Sequence, residues 1–248
     1  MSLYLPILMY HQISSPGPGD KLGLFVPPEL FRQQLSFLAE QGYKAVSPEA
    51  MAAALTGPLS ELPERPMLLT FDDTIASAFG PALEILAEFK FPAVGYFIAG
   101  DAKSMPGPRD LEDYRRLGFT VGSHCVTHPW MPDLSPEQLR TEAVDSRRRL
   151  EDLCGAPVVH FAYPHGGYGP REVAAVGEAG YRTVVSTRRG NRQKLSEILC
   201  LRRLPMRPDT GLPRVGHFLG SLWHWEHILK EALGIDRKNR KKVRKGPP

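Results

Sequence analysis

Met67-Leu68-Leu69-Thr70-Phe71-Asp72-Asp73 is the most informative stretch of the chain. Met67 to Phe71 is an apolar run of strand length, and it ends in two adjacent acids. Paired carboxylates at the end of an apolar strand are costly unless a cation or hydrogen bonds satisfy them. One can bind a metal while its neighbour stays free as a proton acceptor. The alternative is that the pair caps the following helix.

Similar apolar runs recur on both sides and alternate with amphipathic stretches. Strands are predicted over Leu5–Tyr10, Tyr43–Val46, Ala93–Ile98, Phe119–Val121, Val158–Ala162, Tyr181–Ser186 and Cys200–Met206. Helices are predicted over Pro28–Gln41, where Leu30, Phe31, Leu35 and Leu38 share a face and Gly42 is the stop, and after Ser47-Pro48-Glu49. Further helices are predicted over Gly80–Phe89, from Ser135 to about Leu153 with Gly155 as stop, and over Arg171–Ala179 closed by Gly180. Gly100–Arg109 reads as a loop. Strand–helix alternation predicts an α/β fold with a parallel sheet, and seven or eight such units in one domain favour a barrel. Asp72, Asp73, His124 and His165 each follow a strand, so a barrel gathers them at its C-terminal rim.

His124-Cys125-Val126-Thr127-His128 places two imidazoles four residues apart. On a helical turn they share a face and can chelate one ion; two hydrogen-bonded surface histidines are the plainer alternative. One carboxylate with two imidazoles leaves positions open for water and substrate. That donor set suits Zn²⁺ first, with Fe²⁺, Co²⁺ or Ni²⁺ as alternatives. Cys125 reads as a packed thiol. Phe161-Ala162-Tyr163-Pro164-His165-Gly166-Gly167-Tyr168 predicts a tight turn that can offer a backbone N–H to a developing oxyanion, or a plain connecting loop. Tyr10, Tyr163, Tyr168 and Trp130 lie near these motifs; each reads first as packing and second as a platform for a sugar ring.

The chain has 248 residues and a formal net charge of +4. Arg237, Lys238, Arg240, Lys241, Lys242, Arg244 and Lys245 carry the basic excess, so nucleic acid is not an expected partner of the body. Trp223, Trp225, Ile228, Leu229 and Leu233 precede that cluster. The expected organisation is a catalytic domain over 1–220 and a C-terminal helix with a basic tail over 221–248. A packed helix with a solvated end is the first reading of the tail, and weak contact with a membrane surface the second. Cys125, Cys154 and Cys200 form no disulfide framework. The first residues read as a strand rather than a signal peptide, and the expected location is cytoplasmic, with peripheral contact at the inner membrane face as the variant.

In combination and in this order, the Asp-Asp and His-x-x-x-His motifs resemble the polysaccharide deacetylases of carbohydrate esterase family 4, the NodB-homology group. Leu8-Met9-Tyr10-His11, Gly122-Ser123-His124, Gly180-Tyr181 and Arg202-Arg203-Leu204-Pro205 add to the likeness, which spans roughly Leu5 to Arg207. The resemblance implies a distorted (β/α) barrel, seven-stranded and single-domain, a divalent metal, and hydrolysis of N-acetyl groups on an amino-sugar glycan or its precursor. It implies Asp72 as base and Asp73, His124 and His128 as metal ligands. Two departures stand out. Thr74 follows the acids where many members have Gly, and Ala162 stands where the third motif often carries an Arg, which leaves Arg202 or Arg203 as substitutes. The Phe-Ala-Tyr-Pro form of that motif is similar to the poly-N-acetylglucosamine deacetylases, whose acid histidine comes from the first strand. That implies His11 as general acid, with His165 second, and His165 and Tyr163 as oxyanion and substrate residues. Hydrolysis of another non-peptide amide (on a sugar nucleotide, a lipid-linked sugar or a cyclic amide) and a non-catalytic carbohydrate-binding relative are the alternatives.

Overall fold

Residues 2–15, 20, 22–57, 62–76 and 79–220 are described by a computed structural model of the chain. The strands are β1 (Leu3–Tyr4), β2 (Ile7–Tyr10), β3 (Gln12–Ile13), β4 (Phe25–Val26), β5 (Lys44–Ala45), β6 (Pro66–Phe71), β7 (Ala93–Phe97), β8 (Phe119–Ser123), β9 (His160–Ala162), β10 (Thr183–Arg189), β11 (Arg192–Gln193) and β12 (Leu201–Pro205). The helices are α1 (Pro28–Glu40), α2 (Pro48–Thr56), α3 (Gly80–Phe89), α4 (Pro108–Leu117), α5 (Pro136–Cys154), α6 (Pro170–Glu178) and α7 (Leu212–Leu219).

The sheet runs β2-β12-β10-β9-β8-β7-β6 and closes through a β2–β6 pairing, so seven parallel strands form a barrel. Strands adjacent in sequence are mostly adjacent in space, as a singly wound barrel requires. The short β5 pairs with the start of β6 at Pro66 and Met67. β1 and β11 form a small antiparallel pair, and β3 and β4 a small parallel one.

Alternation along the strands sorts side chains into two apolar clusters. Ile7, Leu68, Val94, Tyr96, Val185 and Leu201 belong to one, the filling of the barrel. Leu8, Leu69, Phe97, Phe161 and Leu204 belong to the other, the seam between strands and helices. The parity of Leu68 carries through Thr70 to Asp72, and that of Leu201 to Arg203. Both charged groups therefore project into the barrel.

Helix ends follow their local chemistry. Ser135 caps α5 with a capping box: its Oγ accepts from the Gln138 N–H, and the Gln138 side chain accepts from the Ser135 N–H. Gly155 closes α5 in the left-handed conformation. Two helices go beyond the sequence expectations. α4 begins inside the expected Gly100–Arg109 loop and buries only Leu111 and Tyr114, too few for a periodic signal. α7 is eight residues long and buries only Val215 and Phe218. The expected C-terminal helix and tail over 221–248 lie outside the described residues. Among those described, no helix is long and apolar enough to cross a membrane.

Candidate active site

The mouth of the barrel at the C-terminal strand ends gathers groups from β2, β6, β8, β9 and β12. Asp72 and Asp73 follow β6. An extended chain would send neighbouring side chains to opposite faces, but Asp73 has φ 50°. That left-handed backbone is one an aspartate tolerates, and it brings both carboxylates to the mouth. The Gln12 side chain donates to the Asp73 carbonyl at 2.7 Å. Thr74 fits without glycine, because its φ is not positive and its hydroxyl donates to the Phe71 carbonyl at 3.0 Å.

The Asp73 carboxylate Oδ1 lies 3.4 Å from His124 Nε2 and 3.1 Å from His128 Nε2, and the two Nε2 atoms are 3.2 Å apart. His124 Nδ1 is 2.7 Å from the Ala162 carbonyl and donates to it, so its Nε2 carries a lone pair. Asp73 Oδ1 is buried and has no well-aligned hydrogen-bond donor. Three potential ligand atoms thus converge within 3.4 Å of one another. Donors about 2.1 Å from a shared ion stand roughly 3.0–3.4 Å apart for angles between octahedral and tetrahedral, so this set fits one divalent cation. Burial works to raise the Asp73 carboxyl, but the two imidazoles hold it far below the usual carboxylate range. Asp73, His124 and His128 are also the His/Cys/Asp/Glu group able to hold an ion among the described residues.

The histidine spacing needs a correction. His124 and His128 do not ride on a helical turn. They bracket an irregular loop after β8 in which Cys125 (φ 66°) and His128 (φ 58°) are left-handed. Those two reversals, rather than helical periodicity, fold the second imidazole back onto the first. Cys125 is fully buried, as a packed thiol should be, and burial pushes its ionisation up.

Asp72 is gripped by Arg203. Nη1 donates to Oδ1 and Nη2 to Oδ2, each at 2.6 Å, while Nη1 also reaches Thr70 Oγ1 at 3.1 Å and Nε the Ser186 carbonyl at 2.9 Å. Burial tends to raise the Asp72 carboxyl, but the Arg203 charge and hydrogen bonds hold it down and ionised. Of the two arginines considered as substitutes for the one absent at Ala162, the geometry selects Arg203. Arg202 turns to Glu197, 3.5 Å away, and to the Arg189 carbonyl.

His11 directly follows β2, whose Tyr10 is in register with Phe71, so His11 and Asp72 leave neighbouring strands at one level. Its Nδ1 is buried without a partner. Burial lowers its pKa, helped by Arg203 and His124 and opposed by Asp72 and Asp73. His165 has φ 55° in a turn after β9, and its ring packs edge-on against His128 at 4.3 Å. Burial, then His128 and His124, lower its pKa as well. Trp130 lies 6.5 Å from His165, partly exposed, and a Cβ on Gly167 would stand 2.8 Å from its ring.

Tyr163 departs from expectation. Its side chain is fully buried, its hydroxyl donates to the Leu199 carbonyl at 2.9 Å and its N–H to Val185 at 3.2 Å. Neither group is offered to a ligand, because Ala162 takes the barrel-facing position and Tyr163 falls on the helix-facing side, where it stacks on Tyr168. Tyr10 is likewise core, its hydroxyl donating to Gln34 at 3.0 Å. Glu142, unmarked by the sequence reading, accepts hydrogen bonds from the histidine loop. The available signal was its place on the inward face of α5 with Leu139, Ala143, Ser146 and Leu150.

A parallel barrel with a carboxylate–imidazole cluster at its mouth and a second, arginine-held carboxylate beside it is the framework of a barrel-fold hydrolase. The sequence profile of the polysaccharide deacetylases matches residues 60–184, about half the chain, and the chain belongs to that family of carbohydrate deacetylases. It is 26% identical over 220 residues to YxkH of Bacillus subtilis (strain 168), a protein named for polysaccharide deacetylase similarity, covering 88% of this chain and 77% of that one. It is 28% identical to the Rhizobium leguminosarum bv. trifolii chitooligosaccharide deacetylase over 125 residues, 49% of this chain and 56% of the relative. The structure of Streptococcus pyogenes deacetylase PplD in complex with acetate superposes with a TM-score of 0.80 at 28% identity, covering 89% of this chain and all of that one. IcaB from Ammonifex degensii shares the fold, with a TM-score of 0.73 at 24% identity over 87% of this chain and 96% of that one.

Proposed function

We propose that the chain is a metal-dependent N-deacetylase acting on amino-sugar glycans or their precursors. The observation that carries this reading is the triangle of Asp73, His124 and His128 donor atoms, with edges of 3.1–3.4 Å, beside an ionised Asp72 held by Arg203. Acetate bound to PplD and the sugar substrates named for the curated relatives support the same class of reaction.

A divalent ion held by Asp73, His124 and His128 supplies Lewis acidity toward the acetyl carbonyl and acidifies water at the site. Asp72 accepts a proton from the attacking water, and Arg203 keeps it ionised and oriented for that task. The turn at Pro164–Gly166 offers the His165 N–H toward the oxygen on which charge develops. His11 gives a proton to the departing amine through Nδ1. It takes up that proton during turnover from Asp72, which has received it from the attacking water. The non-catalytic alternative drew on the arginine missing from the third motif and on the lack of a C-terminal Leu-x-x-His motif; in this reading Arg203 of β12 takes the place of the first and His11 of the second.

The test is acetate release from N-acetylglucosamine oligomers by metal-reconstituted protein, with N-acetylated sugar nucleotides and cyclic amides as competitors for the assignment. The expected result is turnover of the oligomers that is lost on chelation and restored by Zn²⁺ or Co²⁺. Full turnover in chelated protein would overturn the mechanism, and turnover confined to a cyclic amide would overturn the substrate class.

A further inference from the structure

The loop from His124 to His128 contains two left-handed non-glycine residues, Cys125 and His128, and such a loop does not hold its shape unaided. It is gripped from two sides. The Cys125 and Val126 carbonyls accept from the Ala99 and Gly100 N–H groups, each at 2.9 Å. Gly100 must be glycine for this, since a Cβ there would lie 2.5 Å from the Val126 oxygen. The opposite side of the loop belongs to Glu142 of α5, a side chain in a residue only 9% exposed. Its Oε2 accepts from the Val126 N–H at 2.7 Å and the Thr127 N–H at 3.0 Å, and its Oε1 from the Thr127 hydroxyl at 2.6 Å.

We infer that Glu142 is a positioning residue for the candidate metal centre, pre-forming the loop so that His128 meets Asp73 and His124 before an ion arrives. The inference rests on the metal reading of those three residues. Val126 and Thr127 lie between the two left-handed residues, and one carboxylate oxygen pins both of their amides. The His128 backbone follows directly. Helix α5 therefore sets the direction of an imidazole it does not carry. The carboxylate suits this task because one oxygen takes both loop amides, which can only donate, and the other takes the Thr127 hydroxyl.

Glu142→Ala removes all three acceptor contacts, whereas a Gln could still accept from both amides and donate its NH₂ to the Thr127 hydroxyl. Thr127→Val removes only the hydroxyl bond and leaves Glu142 in place. Cobalt and zinc affinities of the full chain are measured by competition with a chromophoric chelator, together with the visible spectrum of the Co²⁺ form and urea unfolding of the chelated form. The expected result is a loss of metal affinity of roughly 10- to 100-fold for Glu142→Ala, a smaller loss for Thr127→Val, and a changed Co²⁺ spectrum. A purely structural role would lower the urea midpoint while leaving affinity and spectrum at parental values, and that result overturns the inference. If Glu142→Ala fails to fold, Thr127→Val decides: parental affinity and spectrum overturn it, weakened affinity upholds it. Asp73→Ala separates the two readings. If the parent takes up no stoichiometric ion, or Asp73→Ala takes up as much as the parent, the metal reading itself falls and the inference with it.

Discussion

Arg203 and Asp72 form an ion pair inside a barrel, where neither charge has water to fall back on. Both residues are nearly fully buried, at 1% and 3% exposure. Removing one partner of a buried pair costs about 3–5 kcal/mol, because the survivor is left uncompensated. Arg203→Met is therefore expected to lose about that much stability in urea unfolding, and Asp72→Asn combined with Arg203→Met distinctly less. Asp72→Asn alone is expected to retain the metal and lose about 10²- to 10⁴-fold in turnover, the usual worth of a general base. Metal analysis beside acetate release checks both halves. His11 gives a pH dependence. Its folded pKa is lowered from the ordinary 6.5. Below that value the unfolded chain takes up a proton that the folded chain refuses, so stability falls as pH falls from 6.5 toward the lowered pKa. In chelated protein, His11→Gln should flatten the slope of unfolding free energy below about pH 6.5. The acids and imidazoles of the site were legible because their order along the chain carries meaning. Arg203 was legible only as one of two neighbours, since which arginine points inward depends on strand parity. Tyr163 was misplaced for the same reason.

Elements were more readable than the joints between them. The α5 boundaries follow from Ser135, Gln138 and Gly155, each with a cap function visible in sequence. Ser135→Ala is expected to cost about 1 kcal/mol by thermal melting, with little change in turnover, because the cap stands about two turns from Glu142. The helix expected for the His-x-x-x-His spacing did not form. Its backbone instead follows bonds to Glu142 and to the end of β7, contacts between residues far apart in sequence. The turn after β9 is built the same way. Gly166 has φ 69°, and a Cβ there would collide with the Thr187 side chain. Gly166→Ala is expected to destabilise by more than about 1 kcal/mol and to displace His165, seen as lower turnover as well as a lower urea midpoint.

Strand–helix alternation makes a barrel readable, but its closure is a property of the whole molecule. β2 must lie between β6 and β12, and no local pattern states that. An ion bound only to the folded barrel stabilises it by mass action, about 2.7 kcal/mol at a hundredfold excess over the dissociation constant. Chelation is therefore expected to lower the melting temperature of the parent and to leave that of Asp73→Ala unmoved. Scanning calorimetry with and without chelator measures the difference.

Because Arg203 comes from the last barrel strand, a ribosome releases the acids and both imidazoles well before the guanidinium that balances Asp72. A nascent chain halted before β12 would carry the full candidate ligand set and yet hold an uncompensated base. The charge balance of Asp72 thus waits until β12 has joined the sheet.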